Sequence, residues 1–243
     1  MHPIPFWGRL LFSVCLLLAL CAGCSEERST GQGRGKLVLR IVAGSESKHI
    51  EPIIEKCARQ SGVAVEMHYS GSVDMMLSMK QAEFAYDAAL PASSIWLRLG
   101  DQGLHRVKEE ASIMRSPVVL GVKKSIAASM GWIGQDVTVN DILQAVQSNG
   151  LRFAMTSATQ SNSGFSSYVG MLMALAGNPE VLTEAHLQRP ELQRDIRSLL
   201  EGVNRGSGSS GWLMQTFVKD YDRLDAMFNY ESMIIAANRE LTR

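Results

Sequence analysis

The sequence predicts an α/β fold in which parallel strands are flanked by helices. Short apolar runs such as Leu37–Val42, and alternating runs such as Val63–Tyr69, indicate strands. Between them, apolar residues from Ile50 to Gly62 recur at helical spacing. Because the strand–loop–helix order repeats along the chain, we expect crossover connections and a parallel sheet. With 243 residues, the chain has room for one large domain or two small lobes.

The remaining elements are predicted from the same two periodicities. Strands are expected at Asp87–Leu90, Val118–Val122, Leu151–Met155, Ala226–Tyr230 and Met233–Ala237. Helices are expected at about Asp74–Phe84, within Trp132–Gln147, at Phe165–Ala176, after Pro190 and at Trp212–Val218. The segment Gly206–Gly211 lacks the lysine and the spacing of a P-loop, so it is predicted to be a turn between two helices. Cys57 is expected to be buried as a small hydrophobic residue.

The N-terminal segment is predicted to be an export signal rather than part of the fold. One cation, Arg9, precedes an apolar run from Leu10 to Ala22 that is too short for a mature transmembrane helix. Small residues then precede Cys24, and the sequence becomes polar at once. The pattern resembles a bacterial lipoprotein signal, in which residues 1–23 are removed and Cys24 is lipidated, although Cys21 stands where an aliphatic residue is usual. Ordinary secretion and an uncleaved anchor helix are the alternatives.

Charge and cysteine content restrict the partners and the location. The 24 basic and 24 acidic residues balance, which gives no reason to expect nucleic acid or an acidic membrane surface as a partner. Of the four cysteines, only Cys57 would remain as a free thiol, because Cys15 and Cys21 would be removed and Cys24 lipidated, so no internal disulfide is expected. Residues 24–35 are rich in serine, glycine and charge, as a flexible tether would be. We therefore expect a protein of the cell envelope, held by its lipid on the periplasmic or extracellular side of the membrane.

Polar residues follow several predicted strands and are the candidate ligand-binding residues. They are Ser45, Ser70, Ser72, Ser93, Ser161, Asn162 and Ser163, with Tyr230 at the end of a late strand. Ligands of open α/β sheets bind outside the carboxyl ends of the strands. The same loops lead into helix N-termini, which offer free N–H groups and partial positive charge.

Two ordinary roles compete with ligand binding at these positions. Ser45, Ser47 and Ser163 could serve only as helix N-caps, and Tyr230 could be a core aromatic residue. Hydroxyl groups suit an oxyanion or a small polar solute, but the carboxylate of Glu46 would repel an anion. The sequence therefore predicts a polar ligand site and leaves the charge of the ligand open.

Several motifs, taken in order, resemble those of bacterial extracellular solute-binding proteins. They are Gly44–Glu46, Tyr69–Ser72, Tyr86–Ser93, Ser116–Val122, Ala154–Thr156, Ser161–Phe165 and Asn229–Ser232. The most similar branch often carries a von Willebrand factor A domain, and we expect none within these 243 residues. The resemblance implies the type 2 periplasmic-binding-protein-like fold, in which two α/β lobes, each a mostly parallel sheet flanked by helices, enclose the ligand. We expect lobe 1 at 36–116, lobe 2 at 117–229 and a return to lobe 1, incomplete relative to the family, at 230–243.

The function implied by this resemblance is binding rather than catalysis. We expect capture of a small polar or anionic solute, or of an ion, for the permease of an ABC-type transporter. The alternative is a binding and assembly module that works with a von Willebrand factor A domain protein. The chain has no G-x-S-x-G nucleophile elbow, and its histidines show no metal-ligand spacing. No catalytic residue, metal site or cofactor is therefore predicted.

The lipid anchor can be tested by metabolic labelling. A radiolabelled fatty acid should be incorporated into the wild-type protein and not into Cys24→Ser, because only the cysteine thiol can take the lipid. Equal labelling of the two proteins would contradict lipidation at Cys24.

Overall fold

The first of two sheets is formed by the three strands nearest the N-terminus. The computed structural model describes residues 37–242, so the predicted signal, tether and lipidated Cys24 lie outside the described residues. Strands β1 (Val38–Ala43), β2 (Ala64–Tyr69) and β3 (Ala88–Leu90) are parallel and lie in the order β2-β1-β3. Strand β1 is therefore central, and its carboxyl end lies between the carboxyl ends of the other two.

A helix follows each strand of the first sheet, as the repeated pattern predicts. A short 3-10 helix (Ser45–His49) and α1 (Glu51–Gln60) follow β1, α2 (Ser72–Met79) follows β2, and α3 (Ser94–Gly100) follows β3. Pro52 lies in the first turn of α1, where its missing N–H is tolerated. Gly62, just beyond that helix, has a φ of +73°, a conformation that glycine adopts without strain.

The second sheet contains four strands and mixes both strand directions. Strands β4 (Val118–Val122), β5 (Phe153–Thr156), β6 (Val203–Ser207) and β7 (Ala226–Tyr230) lie in the order β4-β7-β5-β6. Strands β5, β6 and β7 are parallel, whereas β4 is antiparallel to β7. The helices of this lobe are α4 (Lys124–Ser129), α5 (Val139–Asn149), α6 (Asn162–Leu175), α7 (Glu184–Leu187), α8 (Pro190–Leu200), α9 (Ser210–Lys219) and α10 (Glu231–Leu241), with a 3-10 turn at Tyr221–Arg223.

The second sheet carries a hydrophobic core on each of its faces. Phe153 packs with residues of α5, α6 and α8 on one face, and the next residue, Ala154, packs with α9 and α10 on the other. Successive side chains of a strand point to opposite faces, so a sheet covered on both sides needs continuous apolar strands. In the first sheet, by contrast, full burial of strand residues is confined to the end of β1, at Ile41, Val42 and Ala43.

Three predictions about local secondary structure and burial are wrong. Gly206–Gly211 is not a turn between helices, since Gly206 and Ser207 end strand β6 and α9 begins at Ser210. Met233–Ala237 is not a strand but part of α10, where residues four apart, Met233 and Ala237, are both buried. Cys57 is exposed, because α1 covers the sheet incompletely and has no fully buried residue.

The last segment of the chain packs on the second sheet. Helix α10 contacts β4, β7 and α9, and its first N–H donates to the carbonyl oxygen of Pro117, just before β4. Residues 230–243 were expected to return to the first lobe, whereas these contacts of α10 are all with the second sheet and its helices. Among the helices of residues 37–242, none combines the length and the apolar character that a membrane crossing requires.

Two glycines of α6 provide a matched test of the packing of this helix. A methyl group at Gly164 would collide with the carbonyl oxygen of Thr156 in β5, whereas one at Gly170 would meet open space. We expect Gly164→Ala to lower the free energy of unfolding by about 1–3 kcal/mol through overpacking. Gly170→Ala should raise it by up to about 1 kcal/mol, because alanine favours the helix. Urea denaturation measures both, and a stable Gly164→Ala variant would contradict this packing.

Candidate functional site

The two sheets meet where their strands end, at a contact that we call the inter-sheet seam. We define it as residues 44–47, 71–73 and 96 from the first half of the chain and residues 160–163, 208–211 and 230 from the second half. Across it, Gly211 N–H donates to Ser45 Oγ at 2.8 Å, and the Oγ atoms of Ser45 and Ser209 are hydrogen bonded. The N–H of Val73 donates to the carbonyl oxygen of Gln160 at 3.0 Å. The first turns of the 3-10 helix, α2, α6 and α9 therefore all lie at the seam.

Glycines allow the two backbones to approach closely at the seam. A Cβ atom at Gly71 would collide with the carbonyl oxygen of Gln160 and would lie 2.7 Å from that of Gly208. A Cβ atom at Gly211 would lie 2.6 Å from the carbonyl oxygen of Ser45. Both distances are too short for any side chain, so only glycine permits this contact.

A chain of hydroxyl groups fills the second-sheet side of the seam. Thr156 Oγ1 lies 2.8 Å from Ser163 Oγ, which lies 2.7 Å from Ser210 Oγ. Ser161 Oγ is within 3.3 Å of Ser163 Oγ and 3.4 Å of Ser210 Oγ. All four side chains are buried. Because each hydroxyl can donate or accept, the group can reorganise around different partners.

A second set of hydrogen bonds crosses the seam through an amide. The indole N–H of Trp96 in α3 donates to Asn162 Oδ1 at 2.8 Å, and Asn162 Nδ2 donates to Tyr230 Oη at 2.9 Å. Trp96 also packs edge-on against Phe165 of α6. Burial, reinforced by the negative charge of Glu46, raises the pKa of the Tyr230 hydroxyl. Tyr230 is therefore a neutral hydrogen-bonding group at any physiological pH.

Glu46 carries the carboxyl group of the seam, and its surroundings alter the pKa of that group. Loss of solvation on burial raises its carboxyl pKa to about 6, against an opposing effect from a hydrogen bond with its own backbone N–H. The carboxylate lies over Gly44, where a Cβ atom would collide with it. Gly44 directly follows β1, so this carboxylate is positioned at the end of the central strand of the first sheet.

The structure brings most of the sequence-predicted residues together. Ser45, Ser72, Ser161, Asn162, Ser163 and Tyr230 are buried at the seam. Ser70 lies beside Gly71 and is partly buried, whereas Ser93 caps α3 by accepting from the N–H of Ile95. Ser45 and Ser163 do not occupy N-cap positions, which belong to Gly44 and Ser161. A cap role alone therefore does not explain these two serines.

Sequence reasoning missed three residues that take part in the seam. Ser209 and Ser210 were hidden because the glycine- and serine-rich segment around them was predicted to be a turn. The signal that could have revealed them is the strand before it, Val203–Ser207, whose single large apolar residue made it hard to recognise. Trp96 was missed because an indole in a short helix is usually only a core residue.

A cavity of about 780 Å³ adjoins the seam on the second-sheet side. It is lined by residues 155–160, by residues 206–208 and by Tyr168, Leu200 and Val203. Gln160 and Gly208 belong both to this cavity and to the seam, so the two are contiguous. The volume is within the range of small-molecule sites. Within residues 37–242, no cluster of three or more His, Cys, Asp or Glu side chains could hold a metal ion.

Comparison with known protein families gives one match that covers most of the chain. The family described as bacterial extracellular solute-binding protein matches residues 39–241. A search among proteins of curated function found no relative by sequence.

Solved structures share the fold at low sequence identity. The periplasmic binding protein AfuA from Actinobacillus pleuropneumoniae, with fructose-6-phosphate bound, is 9% identical, with a TM-score of 0.57, and the match covers 84% of this chain and 67% of that one. Iron-bound HitA from Pseudomonas aeruginosa is 14% identical, with a TM-score of 0.53 and coverages of 85% and 67%. A periplasmic thiamin binding protein is 10% identical, with a TM-score of 0.54 and coverages of 79% and 61%. The chain thus spans 61% to 67% of the length of these structures.

The raised pKa of Glu46 predicts how stability depends on pH. The folded-state pKa of about 6 exceeds the ordinary value of 4.5, so the folded protein binds more protons between these values. Stability contributed by this group is present below pH 4.5 and is lost as the pH rises through 6. The free energy of unfolding falls by about 2 kcal/mol over this range, since a shift of one pKa unit corresponds to about 1.4 kcal/mol.

The Glu46→Gln variant isolates this contribution. We subtract the free energy of unfolding of the wild type from that of the variant. We expect this difference to be about 2 kcal/mol larger at pH 7.5 than at pH 4. Other carboxyl groups titrate in both proteins and cancel in the difference. Urea denaturation across this range is the measurement, and a difference that stays constant with pH would show that the Glu46 carboxyl is solvated.

Proposed function

We propose that this chain, which belongs to the family of bacterial extracellular solute-binding proteins, captures a small polar solute at the inter-sheet seam. Solute binding is the function of the family, and the finer assignments are our proposal. The solute would be held by Ser45, Ser72, Ser161, Asn162, Ser163 and Tyr230, with Ser70 and Ser93 at the margin. The protein would not be an enzyme. It would work outside the cytoplasm, held to the membrane by lipidated Cys24.

The observation that carries this proposal is the convergence of polar groups from both lobes at one place. Hydroxyl, amide and backbone N–H groups reach the seam from both sheets. They come from the ends of the strands and from the first turns of the helices that follow. Purely structural contacts between lobes are normally apolar at their centre. A seam composed of interchangeable hydrogen bonds can instead transfer those bonds to a polar ligand.

Access to these groups requires the sheets to separate. Ser45 and Ser163 are 1% and 0% exposed, so no solute reaches them while the seam is closed. Within the described residues, the two sheets are connected by a single crossing, residues 101–117, which contains no helix or strand. A single irregular connection opposes separation only weakly, as in hinged domain closure.

A transporter is the partner that such a cycle would serve. Opening exposes the polar ends of both sheets, and closure around a solute hides them, so a membrane permease could distinguish the loaded from the empty protein by shape. We propose that the protein delivers the captured solute to an ABC-type transporter.

Alanine variants of the seam distinguish a binding role from a structural one. A thermal-shift screen with anions, sugars, amino acids and metal ions identifies a solute, and calorimetry then measures its Kd. We expect Ser45→Ala and Ser163→Ala to weaken binding about fivefold or more, since a lost hydrogen bond costs about 1 kcal/mol. Ser129→Ala, at the exposed end of α4, is the control and should leave Kd unchanged.

The melting temperature without solute must be measured for the same proteins. Variants that melt at lower temperature yet bind with the wild-type Kd would contradict the proposed site.

A further inference from the structure

Glu46 is the only charged residue among those that define the seam. It lies in the 3-10 helix between Ser45 and Ser47, both of which are buried. The hydrogen bonds of Ser45 with Ser209 and Gly211 fix this short helix against the second sheet. The backbone of Glu46 is therefore held at the seam, and its carboxylate lies over Gly44.

The charges around Glu46 do not neutralise it. Among the ion pairs of residues 37–242, none includes Glu46. The cations of its own helix, Lys48 and His49, are exposed, and the Lys48 ammonium lies 5.0 Å from the centre of the Tyr69 ring.

The elements packed on this helix bring no compensating charge at the seam. The first turns of α6 and α9 contain no acidic residue, and the basic residue of α9 lies at its far end. The first turns of the helices next to seam residues 73 and 230 each contain one carboxylate, Asp74 of α2 and Glu231 of α10. Both have the same sign as Glu46, and the seam residues themselves include no cation.

Helix N-termini are too weak to offset these negative charges. Each carries about half an elementary positive charge, and its effect is confined to the first turn. Two of the N–H groups concerned are already engaged, since Gly211 donates to Ser45 Oγ and Val73 donates to Gln160. A full carboxylate charge in a poorly solvated position has the stronger influence on an entering ion.

We propose that the solute captured at the seam carries a cationic nitrogen, an ammonium or guanidinium group, that pairs with the Glu46 carboxylate. This inference rests on the proposed function and adds the chemical class of its ligand. The N–H groups of such a cation would donate to the carboxylate and to the serine hydroxyl oxygens, which accept as readily as they donate. An oxyanion would meet a like charge with no cation to offset it.

The test compares three classes of probe on the full chain by calorimetry at pH 7.5. The cationic probes are putrescine and arginine, the anionic probes are sulfate and phosphate, and the neutral probe is glucose. We expect a cationic probe to bind most tightly and to lose at least tenfold in affinity in Glu46→Gln. Glu83→Gln removes an equal charge from an exposed position in the same lobe and should change affinity by less than twofold.

Two further measurements separate charge pairing from an effect on folding. Glu46→Asp keeps the charge on a shorter side chain, so it should retain more cation affinity than Glu46→Gln. Because protons compete with the cation for the carboxylate, wild-type affinity should fall below pH 6, and Glu46→Gln should show no such dependence.

The outcomes distinguish this inference from the proposed function. Tightest binding by an anionic or neutral probe, with affinity kept or increased in Glu46→Gln, would overturn the charge assignment and leave solute capture intact. Failure of every probe class to bind would count against solute capture itself.

Discussion

The hydrogen bond from Gly211 N–H to Ser45 Oγ connects two sheets that differ in how completely they are buried. One sheet has a core on both faces, and the other buries only the end of its central strand completely. Their contact depends on close approach of two backbones, which Gly71 and Gly211 allow because they lack Cβ atoms. The position of the polar groups, the partial burial of Glu46 and the proposed access of a solute all depend on whether this contact is closed or open.

The chemistry of the seam supports the binding function proposed for it. An apolar interface of equal size would gain stability from excluding water and would resist separation. The seam instead contains serine hydroxyls, an asparagine amide and a tyrosine hydroxyl, whose hydrogen bonds exchange readily for bonds to water or solute. Glu46 favours the open arrangement, since closure desolvates its charge. Closed and open arrangements can therefore be close in free energy, which is what a ligand needs to shift the balance.

The repeated pattern of strands and helices could be predicted from the sequence. A helix buried on one face shows an apolar period of 3.6 residues, and a strand shows alternation or a short apolar run. The sequence also placed Ser45 and Ser163 at strand ends. It failed at Val203–Ser207, where the pairing with β5 overrides the low strand propensity of Gly206. It failed again at Met233–Ala237, where five consecutive apolar or small residues fit a strand or a helix equally well. Ser209 and Ser210 could not be assigned without that strand.

Native-state hydrogen exchange of four amides tests most directly whether the seam can open. The N–H groups of Val73 and Gly211 are bonded only across the seam, whereas those of Ala154 and Met227 lie in the second sheet. If the sheets separate as a unit, Val73 and Gly211 should open with one shared free energy that is clearly below that of Ala154 and Met227. Exchange of all four amides with the free energy of global unfolding would show a rigid contact and would contradict the account.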